Sequence, residues 1–273
     1  MISNLRQTRL IVALSVLALL VLSSLLVPLL SSTTPLALHL EQGLFPPSSE
    51  HILGQDKLGR DILSRILYGG RVSLGVGTAV LFISMTIGIL VGTVAGFFGG
   101  RVDSVLMRVT DIFLAFPGML LAIAMAAVLG PSVWNVVIAL SVLGWPGFTR
   151  LIRGQILVVR EEEYILAARG LGMGPAQIIL RHLLPNILAP VIVEATFTMA
   201  SVIVAEASLS FLGLGVQPPF PSWGGMLNEA RVFLLVAPHL VIVPGFVMVM
   251  TVVALNLLGD DLRDRLDVRE YKK

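Results

Sequence analysis

Long apolar runs separated by short charged segments dominate this chain. Residues 10–40, 72–100, 112–149 and 232–259 contain no Asp, Glu, Lys or Arg. A helix needs about 20 residues to cross the hydrocarbon core of a bilayer, which is ~30 Å thick. The pattern therefore predicts membrane-spanning helices. Because the runs do not alternate between apolar and polar residues, it disfavours a β-barrel.

Six spans follow from the lengths of these runs. The first, second and fourth runs each hold one span. The run 112–149 is long enough for two, and its Gly130-Pro131 pair suits a tight turn between them. A further span fits residues 189–209, although Glu194 and Glu206 interrupt it. The predicted fold class is an all-α integral membrane protein with six transmembrane helices.

Composition supports the same class. The chain is 56% hydrophobic and 13% charged, whereas a soluble domain is about a quarter charged. We therefore expect membrane lipid around the chain and no nucleic acid as a partner. The chain has no Cys, which excludes disulfides and thiolate metal sites. The first apolar run has no clear small-x-small cleavage site, so we interpret it as a retained anchor.

The distribution of positive charge predicts the orientation. If the N-terminus lies inside, the outer segments hold only Lys57, Arg60, Arg65, Arg71 and Arg231 of the 19 Lys and Arg. The positive-inside rule then predicts a multi-pass protein of the cytoplasmic membrane with both termini cytoplasmic.

The longest cytoplasmic interruption of this arrangement covers residues 150–188. Residues 160–169 have the pattern of a short helix, with three consecutive Glu at its positive N-terminal end. Glycines then break the helix, and Pro175 suits the start of a second helix over residues 176–184. Two interpretations remain open: a docking element that transmits force from a cytoplasmic partner, or a connecting loop with interfacial helices.

This interruption resembles the EAA loop of permease subunits in binding-protein-dependent ABC importers. The family pattern is Glu-Ala-Ala, three residues, Gly, nine residues, Ile, any residue, Leu-Pro. Leu166 and His182 stand where the family has Glu and Ile, and Glu162 or Glu163, about one turn earlier, is the candidate replacement for the missing carboxylate. The resemblance implies that a separate ATPase couples through Glu163, Ala167, Ala168, Gly172, Leu184 and Pro185.

Four further stretches resemble the dipeptide, oligopeptide and nickel branch of these permeases, and in particular its second permease subunit: LGQDKLGRDILSRILYGGRVSL (53–74), DIFLAFPGMLLAI (111–123), EASLSFLGLGVQPPFPSWGGML (206–227) and NLLGDDLRDRLD (256–267). The resemblance implies a type I ABC importer permease fold in a bacterial or archaeal cytoplasmic membrane. It also implies import of peptides or a related small solute such as nickel or glutathione.

The same resemblance implies the partners and the domain layout. The partners would be a homologous permease subunit, two ATPase subunits and an extracytoplasmic substrate-binding protein. An N-terminal anchor helix and external segment would cover residues 1–70. The transmembrane domain would cover 71–260 with its coupling loop at 150–188, and a cytoplasmic tail would cover 261–273.

The positions of the lysines show whether this chain could bind ATP through a P-loop. A P-loop needs Gly-x-x-x-x-Gly-Lys followed by Ser or Thr, and the chain's lysines, Lys57, Lys272 and Lys273, have no such surroundings. We therefore expect a translocation subunit that is not an enzyme and binds no cofactor, with ATP and Mg²⁺ held by the partner ATPase.

Several other positions carry expectations. Gly88, Gly92 and Gly96 recur every four residues, which suits close helix packing, with a flexible gate as the alternative. An intramembrane carboxylate usually faces a cavity or a partner, so Glu194 either lines the substrate path or bonds a neighbouring helix. Glu206 is expected at the outer interface. The histidines show no spacing typical of metal ligands, so no metal site is expected.

Residues 60–68 have the pattern of an external amphipathic helix, which would lie in the outer interface or contact a binding protein. Two other functions are weighed against the importer. An ion-coupled secondary transporter often shows inverted repeats and broken polar helices, and we find no clear internal repeat. A non-transporting membrane scaffold is the second alternative, against which the cytoplasmic interruption argues.

Overall fold

The long apolar runs of the sequence form long helices. The computed structural model describes residues 2–30 and 34–266. Within these ranges, five helices are long and apolar enough to cross a membrane, and a bent helix pair supplies a sixth crossing if it counts as one span. The all-α membrane fold class is therefore confirmed, with the third span as its irregular member.

Most helices follow one another through short connections, but longer segments separate α1 from α2 and α8 from α9. Two short 3₁₀ turns, Leu40–Gln42 and Arg231–Phe233, lie at the end of the bundle opposite residues 160–178. The helices are α1 (Ile2–Leu30), α2 (Ile62–Phe98), α3 (Gly100–Ala115), α4 (Gly118–Leu129), α5 (Val133–Val159), α6 (Glu163–Gly170), α7 (Pro175–Ile178), α8 (Leu184–Phe211), α9 (Trp223–Ala230) and α10 (His239–Leu266).

The third predicted span is not a straight helix. Helices α3 and α4 meet at an angle of 83°, and the break falls at Phe116, whose φ of −83° and ψ of 140° are extended. Pro117 follows directly, and a residue before proline is pushed out of the helical region by the proline ring.

The expected turn at Gly130-Pro131 does separate α4 from α5. There the amide of Asn135 donates to the carbonyl oxygens of Leu129 at 2.8 Å and Gly130 at 3.0 Å.

Helix α2 starts earlier than the sequence pattern indicates. Asp61 caps it by accepting a hydrogen bond from the backbone N–H of Ser64 at 2.7 Å, and the helix continues unbroken to Phe98. The helix predicted over residues 60–68 is present from Ile62 onward, but it is the first part of α2 and not an isolated element. The expected domain boundary at residue 70 falls inside this helix.

Three glycines bring α2 into close contact with α5. A Cβ atom built on Gly92 would lie 2.8 Å from the carbonyl oxygen of Thr149, and one on Gly96 would lie 2.9 Å from a methyl carbon of Ile156. A Cβ atom on Gly88 would overlap Phe148. Only hydrogen fits at these positions, so the two backbones approach as small residues allow in membrane helices.

We predict that Gly92→Ala destabilises the protein while Gly75→Ala does not. An added methyl group at Gly92 meets the α5 backbone and forces a shift that costs about 1–3 kcal/mol. Gly75 lies on the same helix, and no atom lies within 4 Å of the place that a Cβ atom would take there, so alanine gains helix propensity of up to about 1 kcal/mol. Thermal unfolding of the detergent-solubilised variants measures both effects. Equal Tm values for the two variants would contradict the packing argument.

Candidate functional site

Residues 160–178 form a compact protrusion at one end of the bundle, which we call the knob. Its base is Arg160, directly after α5, whose guanidinium donates to the carbonyl oxygen of Gly96 at 2.8 Å. The knob is therefore tied to the end of α2 as well as to α5. A second link joins Arg169 to the ring of Phe97, 5.3 Å from the centroid, a distance typical of cation–π contacts.

The inner face of α6 holds the knob against the bundle. Ile165 and Ala168 are buried, and Ile165 packs in a cluster with Ile156, Ile178 and Leu183. This cluster contains residues of α5, α6, α7 and the start of α8, so burial of one helix face connects the knob to two spans. Burial of such side chains is the main favourable term for a short helix that would not be stable alone.

Gly172 ends α6 in a specific way. The N–H of Gly172 donates to the carbonyl of Arg169 at 3.0 Å, and the N–H of Met173 donates to that of Ala168 at 3.1 Å. This pair of bonds is the Schellman motif, in which the residue after the cap takes a left-handed conformation. Gly172 has that conformation, with a φ of +82°, which explains why glycine suits this position of the loop.

The outer face of the knob is open and exposes apolar side chains beside the charged residues Glu163 and Arg169. Tyr164, Leu166 and Ala167 are exposed, and Leu171 at the tip is 85% exposed. Large apolar side chains grouped on a surface mark contact sites. Partial desolvation is the main cause, and the nearby Glu162 carboxylate the second, of a pKa of the Tyr164 hydroxyl above its ordinary value.

The six residues expected to couple to an ATPase do not share one surface. Ala168 is buried inside the chain and Leu184 is half-buried, so both contribute to the seating of the knob. The exposed ones are Glu163, Ala167, Gly172 and Pro185.

The predicted second knob helix, 176–184, does not stand alone. It starts as α7, passes through a π-helical turn at Ile179–Leu183 and continues as α8. The N–H of Leu184 donates to the carbonyl of Ile179, and Pro185, which has no N–H and does not fit a regular turn, comes next. The ring of His182 in this turn lies 6.2 Å from that of Tyr164. The knob is thus continuous with a long span.

Two ion pairs near the knob were not foreseen from the sequence. The guanidinium of Arg153 donates to both carboxylate oxygens of Asp103, at 2.5 and 2.7 Å. Arg150 contacts Asp111 at 2.5 Å. Both pairs join α3 to α5. One feature of the sequence could have predicted these pairs. Arg150 and Arg153 are three residues apart, which places them on the same face of a helix.

Two hollows lie against α8. The mid-bundle groove, of about 640 Å³, is bordered by α4, α5, α8 and α10 and carries hydroxyls of Thr198, Ser201 and Ser208. The knob-side cavity, of about 780 Å³, is bordered by α5, α8 and α10. Glu194 and Phe197 border both hollows. The structure thus exposes Glu194 to open space, although its described hydrogen-bond partner is Thr198 on its own helix, at 3.4 Å.

Glu206 is fully buried against other helices of the chain, and its place at the outer interface stays a prediction. Ser73 donates to one carboxylate oxygen at 3.0 Å and Ser210 to the other at 2.7 Å. The same two hydroxyls accept from the backbone N–H groups of Trp223 at 3.3 Å and Val216 at 3.2 Å. These bonds satisfy the carboxylate and fix the segment before α9 to α2 and α8.

A buried charge cluster closes the end opposite the knob. Arg60 contacts Asp56 and Glu229 at 2.6 Å each, and Arg65 contacts the same two carboxylates at 3.1 and 3.2 Å. Both arginines are almost fully buried. Charges removed from water need such partners, so the cluster ties the segment before α2 to α9.

Comparison with known proteins identifies the family. Residues 88–270 match the family described as "binding-protein-dependent transport system inner membrane component". That range covers the knob, the glycine contact and the spans around both hollows. This chain is a member of that permease family.

Curated relatives agree along most of the permease. It is 44% identical over 257 residues to the dipeptide transport system permease protein DppC of Alkalihalophilus pseudofirmus, covering 94% of the permease and 84% of the relative. It is 48% identical over 221 residues to the glutathione transport system permease protein GsiD of Pectobacterium atrosepticum, covering 81% of the permease and 73% of the relative. The ion-coupled alternative is not supported.

Solved structures support the fold. The permease aligns with a chain of the inward-facing MetNI methionine ABC transporter with a TM-score of 0.59 at 19% identity, covering 72% of the permease and 94% of that chain. At this identity the likeness shows the fold alone. It agrees with the expected type I ABC importer permease fold.

We predict that Gly172→Ala loosens the knob while Gly174→Ala does not. Alanine at a φ of +82° costs about 1–2 kcal/mol, whereas Gly174 has a φ of −70° that alanine adopts freely. Neither site has an atom within 4 Å that a methyl group would strike. Hydrogen exchange of the α6 amides should accelerate about fivefold or more in Gly172→Ala only. Unchanged exchange in that variant would refute the capping role.

Proposed function

We propose that this permease imports a short peptide or a peptide-like solute such as glutathione, driven by ATP that a separate subunit hydrolyses. The names of its relatives, which transport dipeptides and glutathione, support this substrate class. The observation that carries the proposal is the knob: a capped, firmly seated helix with an open outer face that exposes apolar side chains, continuous with a span that borders both hollows.

The orientation of the permease follows from the proposal. The knob faces the cytoplasm, where ATP is, and both termini lie on the same side, as the distribution of Lys and Arg favours. The segment 34–61 and α9 then face outward, where a substrate-binding protein delivers the solute.

The proposed assembly contains two permease chains, two ATPase subunits and an extracytoplasmic binding protein. The second permease chain is a homologous subunit. The permease itself binds no cofactor, and ATP and Mg²⁺ belong to the ATPase subunits. The lysine positions support this division, since none follows the glycine pattern of a P-loop.

The coupling step is mechanical. Closure of the ATPase dimer on ATP moves the two docked knobs, and each knob moves α5 and α8, to which it is joined by Arg160 and by the π-helical turn. Movement of α8 changes the hollows on either side of Glu194. A ligand shifts such an equilibrium only if it binds one state more tightly, and the loaded binding protein supplies that preference on the outer side.

We predict that Leu171→Glu separates the ATPase from the permease. Leu171 is 85% exposed at the tip of the knob, so a charge there leaves folding intact but places an unpaired carboxylate in an apolar contact. The matched control is Leu235→Glu, since Leu235 is 97% exposed at the opposite end. Copurification of the ATPase with the tagged permease should fall about tenfold or more for Leu171→Glu alone. Retention of the ATPase by that variant would rule out docking at the tip.

Uptake by the reconstituted complex tests the function itself. Proteoliposomes that contain both permeases, both ATPases and the binding protein should accumulate alanyl-alanine or glutathione when ATP is supplied to the ATPase side. Collapse of ion gradients with ionophores should leave the uptake rate unchanged, because no ion is coupled. Uptake that follows an ion gradient without ATP would disprove the proposal.

A further inference from the structure

The knob-side cavity holds two opposite charges that do not meet. Its volume of about 780 Å³ lies within the range of ~300–1,000 Å³ found for small-molecule sites. Glu194 of α8 and Arg263 of α10 both border it, together with the amide side chain of Gln155 from α5. All its other lining residues are apolar. The lining of the cavity is therefore mainly apolar, with one carboxylate, one guanidinium and one amide side chain.

The two charges lie at nearly the same depth in the bundle. A Cβ atom built on Gly259 of α10 would lie 3.0 Å from the ring of Phe197 on α8, which fixes the register of these helices. Helix α10 runs from the end opposite the knob, and α8 runs from the knob. From this contact, Glu194 is three residues towards the knob and Arg263 is four, so at 1.5 Å per residue their heights differ by about 2 Å.

Neither charge is neutralised by a partner in the described chain. No oppositely charged atom lies within 4 Å of Glu194 or Arg263 among residues 7–28 and 34–266. Thr198 gives Glu194 one long hydrogen bond, at 3.4 Å. Arg263 is exposed at the end of α10, whereas Glu194 is half-buried, so the costly unpaired charge is the carboxylate. A carboxylate in a span is costly without a partner, so an unpaired one beside a cavity indicates a ligand.

We propose that the knob-side cavity binds the zwitterionic form of the transported solute, with Glu194 contacting its ammonium group and Arg263 its carboxylate. A guanidinium binds a carboxylate through two parallel hydrogen bonds, and such charge-assisted bonds are about twice as strong as neutral ones. Gln155 can pair with a peptide amide between the two ends. This assignment rests on the proposed function, since it adds recognition by the permease itself to selection by a binding protein.

The position of Glu194 makes it the first charge on the route. Glu194 and Phe197 border both hollows, so a solute that leaves the hydroxyl-lined groove passes them before it reaches Arg263. Once the ammonium group contacts Glu194, the carboxylate of the same solute can contact the guanidinium on the facing helix, which lies at nearly the same depth. A solute with only one charge leaves the other site residue unpaired, which lowers its affinity.

Direct binding to the assembled complex tests this site. The complex is placed in nanodiscs without the binding protein, and calorimetry measures the Kd of three probes: alanyl-alanine, lactoyl-alanine, which has a hydroxyl in place of the ammonium, and alanyl-alanine amide, which has no carboxylate charge. In the wild type, each one-charge probe should bind about tenfold or more weakly than alanyl-alanine, as expected for loss of one charge-assisted contact.

Two variants should each remove one half of this discrimination. Glu194→Gln should bind alanyl-alanine and lactoyl-alanine equally, yet still discriminate against the amide. Arg263→Gln should bind alanyl-alanine and its amide equally, yet still discriminate against lactoyl-alanine. Asp260→Asn and Arg101→Gln, which change exposed charges outside both hollows, should keep the wild-type pattern.

Other results would overturn the assignment. If alanyl-alanine does not bind the wild-type complex, or if both variants discriminate as the wild type does, the cavity is not a zwitterion site. If either variant loses both discriminations and the complex also loses thermal stability, the two side chains serve only as a structural pair. Failure of ATP-driven uptake with these binding patterns intact would instead overturn the proposed function and leave the site in place.

Discussion

The contact between α2 and α5 is the constraint on which the other features of this permease depend. Lipid is as apolar as the helices, so burial alone does not drive two spans together, and close backbone approach has to supply the attraction. Gly88, Gly92 and Gly96 allow that approach along three successive turns. The end of this contact is also where Arg160 bonds to Gly96, so the base of the knob has a fixed position.

The deeply buried charges of the described chain are held by polar partners. The clusters around Arg60 and Arg153 pair every guanidinium with a carboxylate, and Glu206 receives two serine hydroxyls. These groups stabilise particular junctions between helices, since breaking a buried pair leaves an uncompensated charge. Glu194 differs, since it is half-buried in a span with one long hydrogen bond and shares a cavity with the exposed Arg263. Such departures from local consistency tend to mark functional positions. This is why we assign a ligand to the cavity between them.

Local sequence patterns predicted where the helices lie. The burial of particular side chains depends on contacts between residues far apart in the sequence, which these patterns do not show. Hydrophobic run length located the spans, and Gly130 marked the turn before α5. The break before Pro117 was also readable, because proline restricts the preceding residue, but the apolar run around it hid the signal. By contrast, the burial of Glu206 depends on Ser73, distant in sequence on another helix, and no pattern within α8 reveals it. The first knob helix was predicted from the sequence. The continuity of α7 with α8 was not, because it depends on a π-helical turn and no residue pattern marks such a turn.

The unbroken course from α7 to α8 makes this helix a lever. From Pro175 to Glu194 it spans 19 steps, or about 28 Å at 1.5 Å per residue. The π-helical turn and Pro190 each remove regular hydrogen bonds, and helices bend most readily at such points. In the coupling that we propose, a displacement of the knob would therefore reach the carboxylate between the two hollows along this arm.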